Sequence, residues 1–160
     1  MIEIPYEREK VKQYAKKWAY TRNPNYYNYD AIGGDCTNFA SQCIYAGSGI
    51  MNFTKDTGWY YKSANQKAPS WTGVEFLYRF LIKNKGVGPF GKLVTKQQLE
   101  IGDIVQLSFD GKKFVHTLVV IEAEKDILVS THTFDSYKRN LKTYTYQKSR
   151  NIHIEGVRKW

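Results

Sequence analysis

Partway along this chain the apolar residues change period, and that change restricts the folds open to it. In the first half the spacing is helical. Val11, Tyr14, Ala15, Trp18 and Ala19 recur at intervals of three and four, as do Phe39, Ala40, Cys43 and Ile44, so each set covers one face of an α-helix. From Asp103 onward the period is two, the mark of strands with opposite faces. Helices followed by an antiparallel meander give an α+β domain rather than an alternating α/β one. A length of 160 residues suits one domain with one core, and no repeat or low-complexity linker divides residues 1–160.

Caps and turn residues set the expected boundaries. The first helix covers residues 5–20, with Pro5 at a first helical position and Asn23-Pro24 beyond its end. The second begins at or near Cys36, after Asp35 as N-cap, and Gly47 is placed to end it. The third runs from Thr72 to Asn84, with Thr72 and Glu75 at capping-box spacing. Strands follow over 103–109, 114–122 and 127–133, with Asp110-Gly111 as a hairpin turn. Residues 141–146 and 151–157 are further strand candidates.

Composition excludes several classes. With 42% hydrophobic and 24% charged residues the chain is not disordered. It has no run of eighteen apolar residues, so no membrane-spanning helix is expected. The net charge of +9 favours anionic partners such as nucleic acid or a bacterial wall polymer. The basic residues are scattered, however, with only small groups such as Lys16-Lys17 and Lys112-Lys113. A solvated basic surface is the simpler reading, and no specific nucleic-acid site is expected. Met1–Pro5 lacks the charged start and apolar stretch of a signal peptide, which leaves a mature form, a cut domain and a cytosolic protein all open.

Cys36 and Cys43 are the two cysteines. Seven residues apart on one helix, they would stand roughly 10 Å apart along its axis, too far for a disulfide. Cys43 falls on the apolar stripe and reads as a packed core thiol. There is no Cys-x-x-Cys pair and only three histidines, so neither a metal nor a cofactor is expected.

The segment richest in chemistry is Gly33-Gly34-Asp35-Cys36-Thr37-Asn38-Phe39-Ala40-Ser41-Gln42. It places a thiol in the first turn of an amphipathic helix, after a glycine turn that leaves room for a substrate. Unpaired N–H groups and the helix dipole favour an anion there, which lowers a thiol pKa. The N–H of Cys36 can meet an oxyanion. Asp35 works against this with its negative charge, unless its carboxylate turns into the helix as a cap. A base is also needed. His116, within Phe114-Val115-His116-Thr117-Leu118, would be held rigidly on a strand and could form a thiolate–imidazolium pair with Cys36. Taken alone it reads more simply as a hydrogen-bonded strand histidine. His153 alternates with Ile152 and Ile154 and is expected to face solvent, without a role.

These residues resemble a known family. The Gly33–Gln42 segment is similar to the nucleophile motif of the bacterial "putative amidase domain" family, which is related to the NlpC-type and CHAP-type cell-wall peptidases. The likeness begins at Tyr6, Arg8, Tyr14, Ala15 and Arg22-Asn23-Pro24-Asn25-Tyr26. It returns at Trp59, Ser70-Trp71-Thr72, Gly102-Asp103-Ile104 and His116, and ends near Ser130-Thr131-His132-Thr133. It covers about four fifths of the chain.

The resemblance implies a papain-like α+β fold, with N-terminal helices packed on a C-terminal antiparallel sheet. Cys36 becomes the nucleophile and His116 the base of a cysteine amidase acting on peptidoglycan-type peptides. A third, orienting residue should come from the next strand, where His132 sits. A three-residue loop at 123–125 would set His132 opposite His116, while a two-residue loop would turn it to the other face. The resemblance favours the first, and Asp135 is the alternative orienting group. Asn38 and Tyr29 are candidate oxyanion donors, although Asn38 reads more simply as filling the first helical turn. Tyr26, Tyr27, Tyr29, Trp59 and Trp71 are candidates to line a groove, with at least half of them expected to pack in the core. The expected protein is a monomer, acting in the bacterial cell envelope or secreted as a mature domain, with a cytoplasmic site also open. A non-catalytic basic aromatic module binding anionic polymer, and a protein-directed cysteine protease or acyl-transferase toxin, are the rival functions.

Overall fold

A strand near the C-terminus organises the sheet. In the computed structural model, which describes residues 1–160, the elements run β1 (Ile2–Ile4), α1 (Arg8–Trp18), α2 (Cys36–Ser48), β2 (Tyr61–Ser63), β3 (Gln66–Lys67), α3 (Pro69–Thr72), α4 (Val74–Lys83), β4 (Gly88–Val94), β5 (Ile104–Ser108), β6 (His116–Glu122), β7 (Leu128–Thr131), β8 (Ser136–Asn140) and β9 (Lys148–Lys159). Seven strands form one antiparallel sheet in the order β1-β9-β5-β6-β7-β8, with β4 on the remaining edge of β9. β2 and β3 form a separate hairpin. The fold is α+β with an antiparallel sheet, as the change of period requires.

Both faces of the sheet are covered. On one, Val119, Ile121, Ile152 and Ile154 pack against Phe39, Ile44, Trp59, Trp71 and Leu77 from the helices and their connections. On the other, Val105, Leu107, Leu118, Val120 and Val129 pack with Leu99 and Leu141. Each such fully buried side chain contributes about 2 kcal/mol, and the alternation along β6 divides the two cores.

Several boundaries differ from the sequence reading. α1 starts at Arg8 because Ile2–Ile4 pair with Val157–Lys159, and Pro5, which has no N–H to donate, ends that ladder. Gly47 lies inside α2 rather than ending it. A Cβ there would stand 2.5 Å from Val11 Cγ2, so this glycine lets α1 approach, and the left-handed Gly49 (φ 67°) is the actual C-cap. The expected third helix is broken at Gly73, and the Thr72 hydroxyl accepts from Lys67 Nζ instead of capping. Leu141–Thr143 is a 3₁₀ turn, capped by the Asn140 side chain. The weak candidate at 151–157 is part of the longest strand.

The β6–β7 register decides a functional point. Val119 pairs with Ser130 and Val120 with Val129, and a bulge at Ile121 precedes the Glu122–Leu128 pair. Counting back from Val119 and Ser130, Thr117 stands opposite His132, so His116 does not. This is the register expected of a two-residue loop, here produced by a longer connection and a bulge.

Candidate functional site

The Gly33–Gln42 segment is built by local geometry. Gly33 and Gly34 have φ of 82° and 98°, values that favour glycine, and they turn the chain directly into α2, whose first residue is Cys36. The first turn is fastened to β6 by the Thr37 and Thr117 hydroxyls, 2.9 Å apart. Thr117 lies just beyond the last β6–β7 pair. In a strand a residue's N–H and C=O point to the same edge. The Thr117 carbonyl accepts the Thr131 hydroxyl at 3.0 Å, and its N–H faces the Cys36 sulfur. The thiol therefore stands level with the sheet edge at the start of β6.

Cys36 is buried, only 7% exposed. Burial pushes its thiol pKa up. The N–H of Thr117, the Thr37 hydroxyl 3.8 Å from the sulfur and the Thr37 N–H pull it down, and Asp35 adds a small upward push. The lowered pKa expected at a helix start is thus overturned, because desolvation outweighs the donors.

Asp35 does not cap the helix with its side chain. Its Oδ1 accepts from the Tyr29 N–H and from Asn38 Nδ2, both at 2.9 Å. Its Oδ2 accepts from His132 Nδ1 at 2.6 Å and lies 3.7 Å from Arg22 Nε. The carboxylate binds neighbouring side chains and the Tyr29 N–H in place of the helix's own N–H groups, and Arg22 answers its charge. The other nitrogen of His132, Nε2, donates to the Trp18 carbonyl at 2.8 Å, and the ring stacks on Phe39 at 4.0 Å. With both nitrogens committed, His132 does not orient His116. Asp135 does not either, since Arg22 holds it by two hydrogen bonds of 3.0 Å while also gripping Asp30.

His116 opens β6 and is 8% exposed. Its side chain leaves the face opposite Thr117. The ring makes no hydrogen bond. Tyr144 lies 6.0 Å away and Phe109 6.5 Å, centroid to centroid. Burial, and then the Arg139 charge, lower its pKa to about 4, so near neutrality it is an uncharged imidazole able to accept a proton. No hydrogen bond joins it to Cys36 in this structure. Near neutrality the Cys36 thiol and the His116 imidazole are both uncharged, which differs from the thiolate–imidazolium pair expected from the sequence.

Arg139 and Tyr144 were not among the residues marked by the sequence. The Arg139 guanidinium lies 3.7 Å over the Tyr144 ring. The Tyr144 hydroxyl is buried with no hydrogen-bond partner, near Ser136 and Arg139 and within the electrostatic reach of Cys36. Residues 141–146 imitate a strand in sequence, so nothing local marks Tyr144 as turned toward His116.

The proposed substrate contacts divide. Asn38 is consumed within the protein: Nδ2 donates to the Tyr27 carbonyl and to Asp35, and Oδ1 accepts from Trp71 Nε1. Trp59 and Trp71 are fully buried, their rings 4.8 Å apart, and Trp59 Nε1 donates to Ser41 Oγ. All three are core residues, so they take the packed reading that the sequence already favoured for Asn38 and for at least half of the aromatics, and not the oxyanion and groove roles for which they were candidates. Tyr29 keeps a hydroxyl without a partner. His153, expected to face solvent, donates from Nδ1 to Asp103 Oδ2 at 2.8 Å, because Asp103 is buried beneath β9 and also binds Arg8. Neither Cys36 nor His116 lines the widest concavities; one is lined by Asn52, Ser70, Phe76, Arg79 and Phe80, and another includes Leu141 and Tyr144. No cluster of His, Cys, Asp and Glu is arranged to hold a metal ion, and no helix is long and apolar enough to cross a membrane.

Comparison with known proteins adds a family. The profile of a family described as "Putative amidase domain" matches residues 5–155. The chain is 32% identical over 139 residues to an uncharacterized protein of Bacillus subtilis (strain 168), YhbB. That alignment takes in 84% of this chain but 43% of the relative, so the chain spans less than half of that protein's length. No solved structure matches.

Proposed function

The chain belongs to the putative amidase domain family, and from that membership we propose that it hydrolyses an amide bond with Cys36 as nucleophile and His116 as general base. One observation carries this reading. The sulfur of the first residue of α2 is faced by the N–H groups of Thr37 and Thr117, and the residue next to Thr117 is a neutral imidazole. The nucleophile on a helix start and the base on an antiparallel strand also follow the papain-like plan.

The chemistry runs as acyl transfer to water. As the Cys36 sulfur attacks the amide carbonyl, His116 takes the thiol proton. Oxygen becomes an oxyanion, met by the Cys36 N–H, a first-turn group without an intrahelical acceptor. The C–N bond breaks as His116 returns the proton to the leaving amine. Water then adds to the thioester, His116 again holding the proton, and Cys36 leaves as a thiol. A neutral resting pair suits this sequence, because the proton moves only as the S–C bond forms.

The substrate is an amide of bacterial peptidoglycan peptides, acted on at the cell envelope or outside it by a monomer. Two considerations support this choice: the resemblance to cell-wall peptidases, and a net charge of +9, which suits an anionic wall. Digestion of purified peptidoglycan, with mass analysis of the released fragments, tests it. New amine and carboxyl ends that disappear with Cys36→Ala support the reading. Intact peptidoglycan beside a cleaved protein substrate would transfer the activity to protein amides.

A further inference from the structure

Of the six arginines, Arg8, Arg22, Arg79 and Arg150 have a carboxylate of the protein within 4.0 Å, whereas Arg139 and Arg158 have none. Arg158 lies far from the site, at the end of β9, stacked on Phe90 and donating to the Asn84 carbonyl. Arg139 is on β8, opposite Val129. Its Nε donates to Thr143 Oγ1 at 2.8 Å and its Nη2 to the Thr143 carbonyl at 3.2 Å. The face of the guanidinium rests on the Tyr144 ring, whose other neighbours are His116 and Ser136. Beyond these two bonds the guanidinium makes no further hydrogen bond within the protein, the Tyr144 hydroxyl being a polar neighbour. A half-buried arginine is normally paired, since five fixed donors are costly to leave unused. Here stacking and two hydrogen bonds hold the fork in place, and Arg139 is partly exposed, which lets its remaining donors meet a planar anion.

We propose that Arg139, laid on Tyr144 beside His116 and unpaired within the protein, binds a carboxylate carried by the substrate near the amide that is cut. The substrate class narrows to an amide flanked by a free carboxylate. This rests on the assignment of Cys36 and His116 as the reacting pair. It adds a requirement that the pair alone does not make, because either residue would serve a neutral amide equally well. An unpaired cation also raises the local concentration of anionic substrate.

Alkylation of Cys36 tests the site without a known substrate. Iodoacetate and iodoacetamide differ in carrying a carboxylate or a neutral amide. With each, the Cys36 sulfur displaces iodide, an S–C bond replaces C–I, and the thiol proton goes to solvent or His116. Rates are read at the Cys36 peptide by mass analysis. Cys43, fully buried, reports any loss of fold in the same sample. In Arg139→Gln the iodoacetate to iodoacetamide rate ratio should fall about fivefold, as expected for one charge lost several ångströms away. Arg139→Lys should retain part of the ratio, Arg158→Gln should leave it unchanged, and high salt should shrink the difference. If Arg139→Gln exposes Cys43, the Lys variant carries the test, with a ratio between wild type at low and high salt expected. Fast labelling of Cys36 with the same ratio in wild type and every folded Arg139 variant would overturn the carboxylate site alone. Cys36 no more reactive than Cys43 toward either reagent would overturn the reading of Cys36, and this site with it.

Discussion

Asp35 Oδ2 and His132 Nδ1 lie 2.6 Å apart, with both side chains 1% exposed. The contact ties the chain just after β7 to the residue that precedes Cys36. Through the same ring the Trp18 carbonyl, at the end of α1, is fastened to the turn that precedes Cys36. On the proposed assignment of Cys36, His132 would be a positioning residue that acts through Asp35 rather than on His116.

Removing one partner of this pair should cost stability first. Asp35→Ala strands His132, Asn38 and the Tyr29 N–H without their acceptor, and a loss of about 3 kcal/mol is expected. Urea denaturation measures it. His132→Gln should lose stability and, in the folded fraction, alkylate Cys36 at an altered rate. A His132→Gln protein of wild-type stability and unchanged Cys36 reactivity, yet without hydrolytic activity, would contradict the positioning role.

The two cysteines should separate cleanly. Cys36→Ala should reduce hydrolysis below about one thousandth of wild type while leaving the urea midpoint nearly unchanged. Cys43 is fully buried in the core between α2 and its neighbours, so Cys43→Ala should cost about 1 kcal/mol and keep activity. Activity assays beside denaturation curves check both.

His116 makes stability depend on pH. Its folded pKa of about 4 lies below its ordinary value of 6.5. As pH falls between those values the unfolded chain takes up a proton that the folded chain refuses. The stability present above 6.5 is therefore lost on acidification, on the order of 3 kcal/mol by pH 4. Wild type minus His116→Gln, compared by denaturation at neutral and acid pH, isolates this loss. A constant difference across that window would refute it.

Because burial raises the Cys36 pKa, alkylation by iodoacetamide should keep accelerating with pH beyond the usual thiol range of about 8.5. A plateau already reached below neutrality would indicate a thiolate–imidazolium pair instead. Stopped-time labelling from acid to alkaline pH distinguishes the two.

What could be read from sequence was local. The glycine turn, the helix start and Cys36 lie within a few residues of one another, and their chemistry needs no distant partner. The companion residues depend on register. Ile121 carries no mark of the bulge that sets His132 opposite Thr117, and Asp35 looked like an ordinary N-cap until Arg22 and His132 claimed it. Asn38 and Trp71 are polar and aromatic enough to suggest a groove, yet they hydrogen-bond each other in the core. Arg139 and Tyr144 come together through stacking across a turn, which no periodicity announces.

The central place of β9 bears on how this protein acquires its structure in time. β9 is the last strand of the sheet along the chain, yet it lies between β4 on one edge and β5 and β1 on the other. Joining β1 to it closes a loop of nearly the whole chain, an entropic cost met before the contact gives anything back. During synthesis α1 and α2 emerge early, but the sheet that buries their apolar faces cannot close until β9 leaves the ribosome. Folding should accordingly be slow for a domain this size, with the Cys36 thiol open to oxidation until that final strand arrives.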